Sequence, residues 1–265
     1  MNFFDLVNIS ERYMELVNPS TPEKMVTLGK FLRLRDSSRV IDFGCGYAEA
    51  LILWAEQFGI VGVGVDIRDH ACDRARKKVS EKRLTDRIEI VCANGADYSF
   101  QEGAFDAATC IGASFIWGGY RPTIRAMRRA IGRGGRLGIG EPYWLRDRVP
   151  PEYAGRETSV HSEYELLQIT REEGFDFEYV VRASHDDWDR YEADNWHGLI
   201  RWIEENPDHP EHEEVIKHLR KIQGEYLNCG REYMGWAMYV LAPMDYQPTD
   251  TTEPVAAADT DKPRR

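Results

Sequence analysis

The sequence predicts an α/β fold, an open parallel sheet alternating with helices that cover both of its faces. Three observations carry this. The apolar run Arg39-Val-Ile-Asp-Phe-Gly-Cys-Gly46 ends in an acid and two glycines, a helical stripe follows it, and a second apolar run ends in Asp66, twenty residues beyond Gly46. Strand, glycine turn, helix and acid-terminated strand form a βαβ unit of the nucleoside-binding kind. The chain has 265 residues, and α/β folds of roughly 200–250 residues commonly form a single unit.

Taken in order, residues 1–35 read as an N-terminal cap of two helices joined by Asn18-Pro-Ser-Thr-Pro22. Ser20 with Glu23 reads as a capping box and Pro22 suits a first turn, so the second helix is expected to run toward Leu34. The first strand follows Asp36. Ala50, Leu51, Leu53, Trp54 and Phe58 then recur at helical spacing, and Gly59 closes that helix. Further strands are expected at 61–67, 88–92, 105–111 and 137–141, the last entered through Gly134-Gly135, with helices between them. A polar connection at 145–160 leads to a helix at 162–173 and a strand near 177–181. The core thus comprises 36–183 and 230–242, where Tyr233 to Leu241 form the last strand.

Residues 184–229 are too long for a turn and read as a helical insertion of two helices around Pro207 and Pro210. Trp188, Tyr191, Asn195, Leu199 and Trp202 recur there at helical spacing. The stripe reads as packing on the core; its alternative is a lid that closes Tyr191, Glu192 and Trp196 over a bound acceptor. The tail, 243–265, has prolines, threonines and acids but almost no large apolar residues, and is expected to be disordered.

The first βαβ unit also limits the ligand. A dinucleotide site places a third glycine where the helix begins and rests its phosphates on the helix N-terminus. Here Glu49 stands near that point and Asp42 precedes the glycines, so the charges suit a ligand with a positive end. S-adenosylmethionine meets this description. Gly44 and Gly46 permit close approach of the backbone, Asp42 is placed to organise an ammonium group, and Asp66 to accept from ribose hydroxyls. Residues following the strand ends are the other candidates, since ligands of open α/β sheets lie there. They are Cys45, Ile67, Asn94, Gly95, Ala96, Ile111 and Gly112 for the cofactor, with Trp117, Tyr143, Trp144, Tyr191 and Trp196 for an acceptor pocket. Glu141 and His161 are the candidate bases should the acceptor have to lose a proton.

At these residues the chain resembles the class I S-adenosylmethionine-dependent methyltransferases, whose first motif reads apolar-Asp-x-Gly-x-Gly. Arg87-Ile-Glu-Ile-Val-Cys-Ala-Asn94-Gly-Ala-Asp97 is similar to that family's third strand and adenine turn. Ala104-Phe-Asp106-Ala-Ala-Thr-Cys-Ile-Gly-Ala113 is similar to its fourth strand, and Gly134-Gly135-Arg-Leu-Gly-Ile-Gly-Glu141 to its fifth. The likeness covers roughly residues 20–242 in order and implies a Rossmann-like sheet, S-adenosyl-L-methionine as cofactor and methyl transfer. Ala48 stands where many members carry a third glycine, and Asn94 where the adenine turn usually has an aspartate. Asn18-Pro-Ser-Thr-Pro-Glu-Lys24, Gly140-Glu-Pro-Tyr-Trp144 and Arg231-Glu-Tyr-Met-Gly-Trp236 are similar to a bacterial small-molecule branch of the family. That likeness implies a cap near the cofactor, with Tyr13 as a neighbour of the sulfonium.

Charge and composition narrow the partners. A formal charge of −11 and a pI near 5.2 oppose a polyanionic partner, because phosphate backbones select for excess Lys and Arg. Arg121, Arg125, Arg128, Arg129, Arg133 and Arg136 form a basic cluster, read as a solvated helix face. Five cysteines without CxxC or CxxxC spacing read as reduced thiols with no thiolate metal site. His209 and His212 sit in an acidic, proline-flanked turn and read as solvated. The N-terminus lacks a signal pattern, and no run approaches the ~20 apolar residues needed to span a bilayer. The chain is therefore expected to be cytoplasmic, a monomer or homodimer, acting on a small-molecule acceptor with no nucleic-acid or membrane partner. Two other readings retain the glycine motif: a non-catalytic sensor of S-adenosylmethionine or its product, and an NAD-dependent dehydrogenase.

Overall fold

Every strand among the described residues joins one sheet. The computed structural model describes residues 1–244, so residues 245–265 of the expected disordered tail lie outside the described residues. Parallel strands β1 (Arg39–Phe43), β2 (Val61–Asp66), β3 (Ile88–Cys92), β4 (Phe105–Ile111) and β5 (Ile131–Trp144) are followed in the chain by β6 (His161–Ser162), β7 (Phe175–Arg182) and β8 (Met234–Pro243). Their spatial order is β3-β2-β1-β4-β5-β8-β7, with the two-residue β6 beside β5. The chain leaves β1 toward β2 and later crosses back to place β4 on the other side of β1. The crevice beyond the carboxyl ends of β1 and β4 is therefore the topological switch point, where ligands of such sheets bind.

The helices are α1 (Phe3–Ser10), α2 (Pro22–Phe31), α3 (Glu49–Phe58), α4 (Asp69–Glu81), α5 (Tyr120–Arg128), α6 (Pro151–Ala154), α7 (Glu163–Glu172), α8 (His185–Glu205), α9 (His212–Glu225) and α10 (Arg231–Tyr233). One face of the sheet is covered by α2 and α3, where Leu28, Leu51 and Trp54 pack with Val40 and Met238. On the opposite face Ile124, Met127 and Tyr239 pack with Ile41 and Phe43. Each fully buried Leu, Ile or Met contributes roughly 1.5–3 kcal/mol by leaving water. A third, smaller cluster of Leu6, Leu199, Val215 and Leu219 joins α1 to α8 and α9.

Several details depart from the sequence reading. Strand β8 is antiparallel to both β5 and β7, so the sheet is not wholly parallel. The excursion through α8 and α9 leaves β7 and re-enters β8 at the same edge, with Arg182 opposite Ala237, and the chain must then reverse. This places both long helices at the carboxyl-end edge, beside the crevice. Strand β5 begins six residues early, at Ile131, because Gly134 (φ +80°) and a register shift between Phe105 and Ala107 keep the glycine segment paired with β4. Thr21, not Ser20, caps α2: its Oγ1 accepts from Lys24 N at 3.2 Å. Pro22 drives the preceding residue to extended backbone, which is the conformation an N-cap requires. The helix ends at Phe31 rather than near Leu34. The arginine cluster is largely ion-paired, Arg121 and Arg125 with Glu173 and Arg136 with Glu178.

Candidate active site

Where β1 ends, the chain turns through Gly44 (φ +70°) and Gly46 (φ +54°) before α3 begins. A Cβ on Gly44 would stand 2.4 Å from the Cβ of Ala113, so the β1 and β4 loops approach more closely than any side chain at that position allows. The next strand delivers Asp66, a buried carboxylate. Its Oδ2 accepts from Gly46 N and its Oδ1 from Arg68 N, each at 2.9 Å. These bonds fix the carboxylate while leaving acceptor capacity on both oxygens.

A cavity of about 390 Å³ opens at this point. Gly44, Asp66, Ile67, Asn94, Gly95, Ile111 and Gly112, all read as cofactor residues from the sequence, line it. Asn94 is braced by its own turn: Oδ1 accepts from Ala96 N and Nδ2 donates to Asp97. Asp42, Cys45, Gly46 and Ala96 do not line the cavity. Asp42 lies beneath the turn, where Thr109 Oγ1 donates to it at 2.6 Å and burial pushes its carboxyl up to about 7. Burial also raises the Cys45 thiol, whose sulfur packs on Gly64. Glu49 is ion-paired with Lys78, so its charge at the start of α3 is offset and cannot by itself repel a pyrophosphate. The acid that faces the cavity beside Asp66 is Glu11.

The roof of the cavity comes from α1, with Phe3, Phe4, Val7 and Glu11 toward it and Phe115 and Ile116 opposite. Glu11 Oε2 accepts from Arg68 Nη1 at 2.8 Å, and Arg68 Nε lies 3.5 Å from Asp66 Oδ1. Arg74 donates to the carbonyls of Arg12 and Met14 and lies 3.9 Å over the Tyr47 ring. The segment after α1 is thereby tied to α4. A second chamber of about 290 Å³ shares Phe3, Val7, Glu11 and Tyr191 with the first and extends toward Tyr153, Trp188, Glu192, His218 and Tyr226. Burial pushes the Glu192 carboxyl up to about 7, even though Trp188 Nε1 donates to it at 3.3 Å. Burial holds His218 below its usual value.

Of the residues read from the sequence as acceptor pocket, Tyr191 alone lines these chambers. Trp117 packs edge-on against Phe43, 5.0 Å between centroids, as a core anchor. Tyr143 is buried within the sheet beside Gly235. Trp144 and Trp196 stand one layer back, edge-on against the lining residues Tyr153 and Tyr226. The three candidate catalytic residues also line neither chamber. Glu141 is buried with Oε1 unpartnered and its carboxyl pushed up to about 7. His161 pairs with Tyr143 through β6. Tyr13 is half-exposed, hydrogen-bonded to Arg12 and packed on His197. Strand-end position identifies a residue near the crevice, but the alternation of strand side chains decides which face it enters.

Many of the residues that sequence reasoning missed come from helices. Phe3, Val7 and Glu11 are spaced by four and share one face of α1, so a carboxylate extending an apolar stripe was the available signal. His218, Ile222 and Glu225 form a similar mixed stripe on α9. Among the described residues no group of three His, Cys, Asp or Glu is arranged to hold a metal, and no helix is long and apolar enough to cross a membrane.

Comparison with known proteins agrees with this geometry. Residues 40–135 match the family model described as a methyltransferase domain. The chain is 33% identical over 242 residues to the uncharacterized protein YjhP of Escherichia coli, covering 89% of this chain and 97% of that one. Two solved structures, SAM-dependent methyltransferases from Geobacter sulfurreducens and Thiobacillus denitrificans in complex with S-adenosyl-L-homocysteine, are also similar. The first is 36% identical with a TM-score of 0.84, covering 90% of this chain and 98% of that one. The second is 33% identical with a TM-score of 0.85, covering 92% and 100%. With its glycine turn, acid-terminated second strand and near full-length similarity to these proteins, the chain belongs to the class I S-adenosylmethionine-dependent methyltransferases.

Proposed function

We propose that this methyltransferase moves the methyl group of S-adenosylmethionine to a small-molecule acceptor held in the second chamber. The observation that carries the reading is the adjacency of the two cavities, which share Phe3, Val7, Glu11 and Tyr191 as lining. A ligand in one then has a ligand in the other as its neighbour.

The residues present fit the cofactor. Gly44 provides a cradle that a Cβ would fill, and Asp66 offers an oriented carboxylate to a ribose. Ile67, Gly95 and Ile116 form an apolar slot suited to an adenine. When bound, the cofactor supplies a methyl group already activated by a positive sulfur. The protein's share of the work is placement and dryness: holding an acceptor in line supplies up to roughly 7–11 kcal/mol in favourable intramolecular cases. Phe3, Phe4 and Phe115 cover the cavity against water. Thiol, amine, carboxylate and hydroxyl acceptors all satisfy this scheme. Where a proton must leave, Glu192 is the carboxylate that the second chamber presents with a value near neutrality.

Calorimetric titration with S-adenosylmethionine, S-adenosylhomocysteine and NAD tests the cofactor half, with Asp66→Ala as control. Micromolar binding of the first two, lost in the variant, is expected; preference for NAD would overturn the reading. Labelled cofactor incubated with a metabolite extract should then pass its label to a low-molecular-weight fraction. The absence of any transfer despite tight binding would instead favour a sensor.

A further inference from the structure

Resting on the acceptor chamber just described, we infer that the acceptor is an amine, bound as its ammonium ion against Glu192 and Asn195. Three independent features of the chamber lead there.

The first is charge. Glu11, Glu157, Glu192 and Glu225 all line the chamber, and no Lys or Arg does. Glu11 is matched by Arg68 and Glu225 faces Arg156 at 3.5 Å. Among the described residues, Glu157 and Glu192 have no ion-pair partner. A carboxylate, phosphate or thiolate acceptor would meet uncompensated like charge here, whereas a cation would be drawn in.

The second is a pair of hydrogen-bond acceptors on the α8 wall of the chamber. Asn195 is more than nine-tenths buried, at 8% exposure, and lines the chamber. Its Nδ2 donates to Tyr191 O at 3.0 Å, which turns the amide so that Oδ1, with no donor among the described residues, is left to the chamber. The Ser10 hydroxyl is engaged by Val7 O and the Tyr226 hydroxyl by Asp189. The Tyr153 and Tyr191 hydroxyls and the His218 ring line the chamber as well, so a ligand meets donors there too, but on the α8 wall the groups offered to it are the Glu192 carboxylate and Asn195 Oδ1, both acceptors. An ammonium brings up to three N–H groups and no lone pair.

The third is the wall. Trp188, Tyr153 and Tyr226 line the same chamber, and aromatic faces attract cations once water is excluded. A volume of about 290 Å³ suits a small organic amine, at the lower end of ligand pockets (~300–1,000 Å³).

The chemistry balances. The ammonium gives one proton to the Glu192 carboxylate, the freed lone pair forms the new nitrogen–carbon bond, and the electrons of the broken carbon–sulfur bond return to sulfur. The proton then passes to solvent. Burial places Glu192 near neutrality, where a carboxylate both accepts and releases a proton readily.

The test is calorimetric titration of the full-length protein saturated with S-adenosylhomocysteine, using phenethylamine, n-butylamine, 2-phenylethanol and 3-phenylpropionate. The expected result is that at least one amine binds tenfold or more tighter than both the alcohol and the carboxylate. Glu192→Gln should remove most of that preference while the affinities for S-adenosylhomocysteine and 2-phenylethanol change less than twofold. Equal or tighter binding of the carboxylate, no binding of either amine, or an unchanged amine preference in the variant would each overturn the inference while leaving the methyltransferase reading intact. Failure of S-adenosylhomocysteine itself to bind would overturn both.

Discussion

Glu11 on the segment that ends α1 and Arg68 at the start of α4 form an almost fully buried ion pair, 2.8 Å between Oε2 and Nη1. The same guanidinium reaches the Asp66 carboxylate, so one arginine links the N-terminal helix to the acid at the end of β2. The roof of the first cavity is therefore held by a charge interaction rooted in the cavity floor.

Removing one side of that pair should be costly. Glu11→Ala leaves Arg68 buried with only the more distant Asp66 as partner, and a loss of about 3 kcal/mol is expected from urea unfolding. Replacing both residues with apolar ones, Glu11→Leu with Arg68→Met, should cost less than the single change. If the double variant is the less stable, the pair is not the unit that matters.

The packing of α1 on α8 depends on Gly198. A Cβ there would stand 2.3 Å from Ser10 O and 2.8 Å from Ile9 O, both backbone atoms that cannot rotate away. Gly198→Ala should displace α1, accelerate hydrogen exchange of its amides at least tenfold, and weaken S-adenosylhomocysteine binding by raising the population of an open roof. Unchanged exchange would show that α1 is held without α8.

Two of the cavity-lining glycines, Gly44 and Gly112, should behave differently. Gly44→Ala adds a collision with Ala113 to the strain of positive φ, while Gly112→Ala meets nothing within 4 Å. The second change is expected to cost about 1–2 kcal/mol from backbone strain alone, and the first distinctly more, with loss of cofactor binding. Thermal unfolding and calorimetry of the two variants make the comparison.

Glu141 supplies a pH dependence. Burial raises its carboxyl from the usual value to about 7, with Oε1 unpartnered. The folded chain therefore holds a proton that the unfolded chain has already released. That contribution is full below the unfolded value near 4.5 and is lost as pH rises to about 7. Glu141→Gln, which carries no charge to bury, should be more stable than the parent by about 3 kcal/mol at pH 8. The difference should shrink toward pH 4. Denaturation curves at both pH values decide it, and a difference independent of pH would refute the burial argument.

The sequence determined the strands of the sheet and much of the lining of the first cavity. Gly44, Asp66, and the Asn94-Gly95 turn sit at strand ends, and a strand that must bury both faces announces itself as an apolar run with its crevice-facing residues immediately after. Position in the chain then nearly equals position in space. Tertiary structure alone decided the roof and the second chamber. Glu11, Tyr153 and His218 come from three segments spread between residues 11 and 218, and in sequence each is one polar position among apolar ones, while Glu192 was legible only through the alternative of a lid. Helical periodicity states that a stripe is covered, but not which partner covers it. Trp117, Tyr143 and Glu141 show the converse: strand-end positions placed them near the crevice, but side-chain direction and packing turned them into the core. Only the docking of α1, α8 and α9 on one another brought carboxylates, an amide and aromatic rings around one small volume, because side chains meet there through packing rather than through chain connectivity.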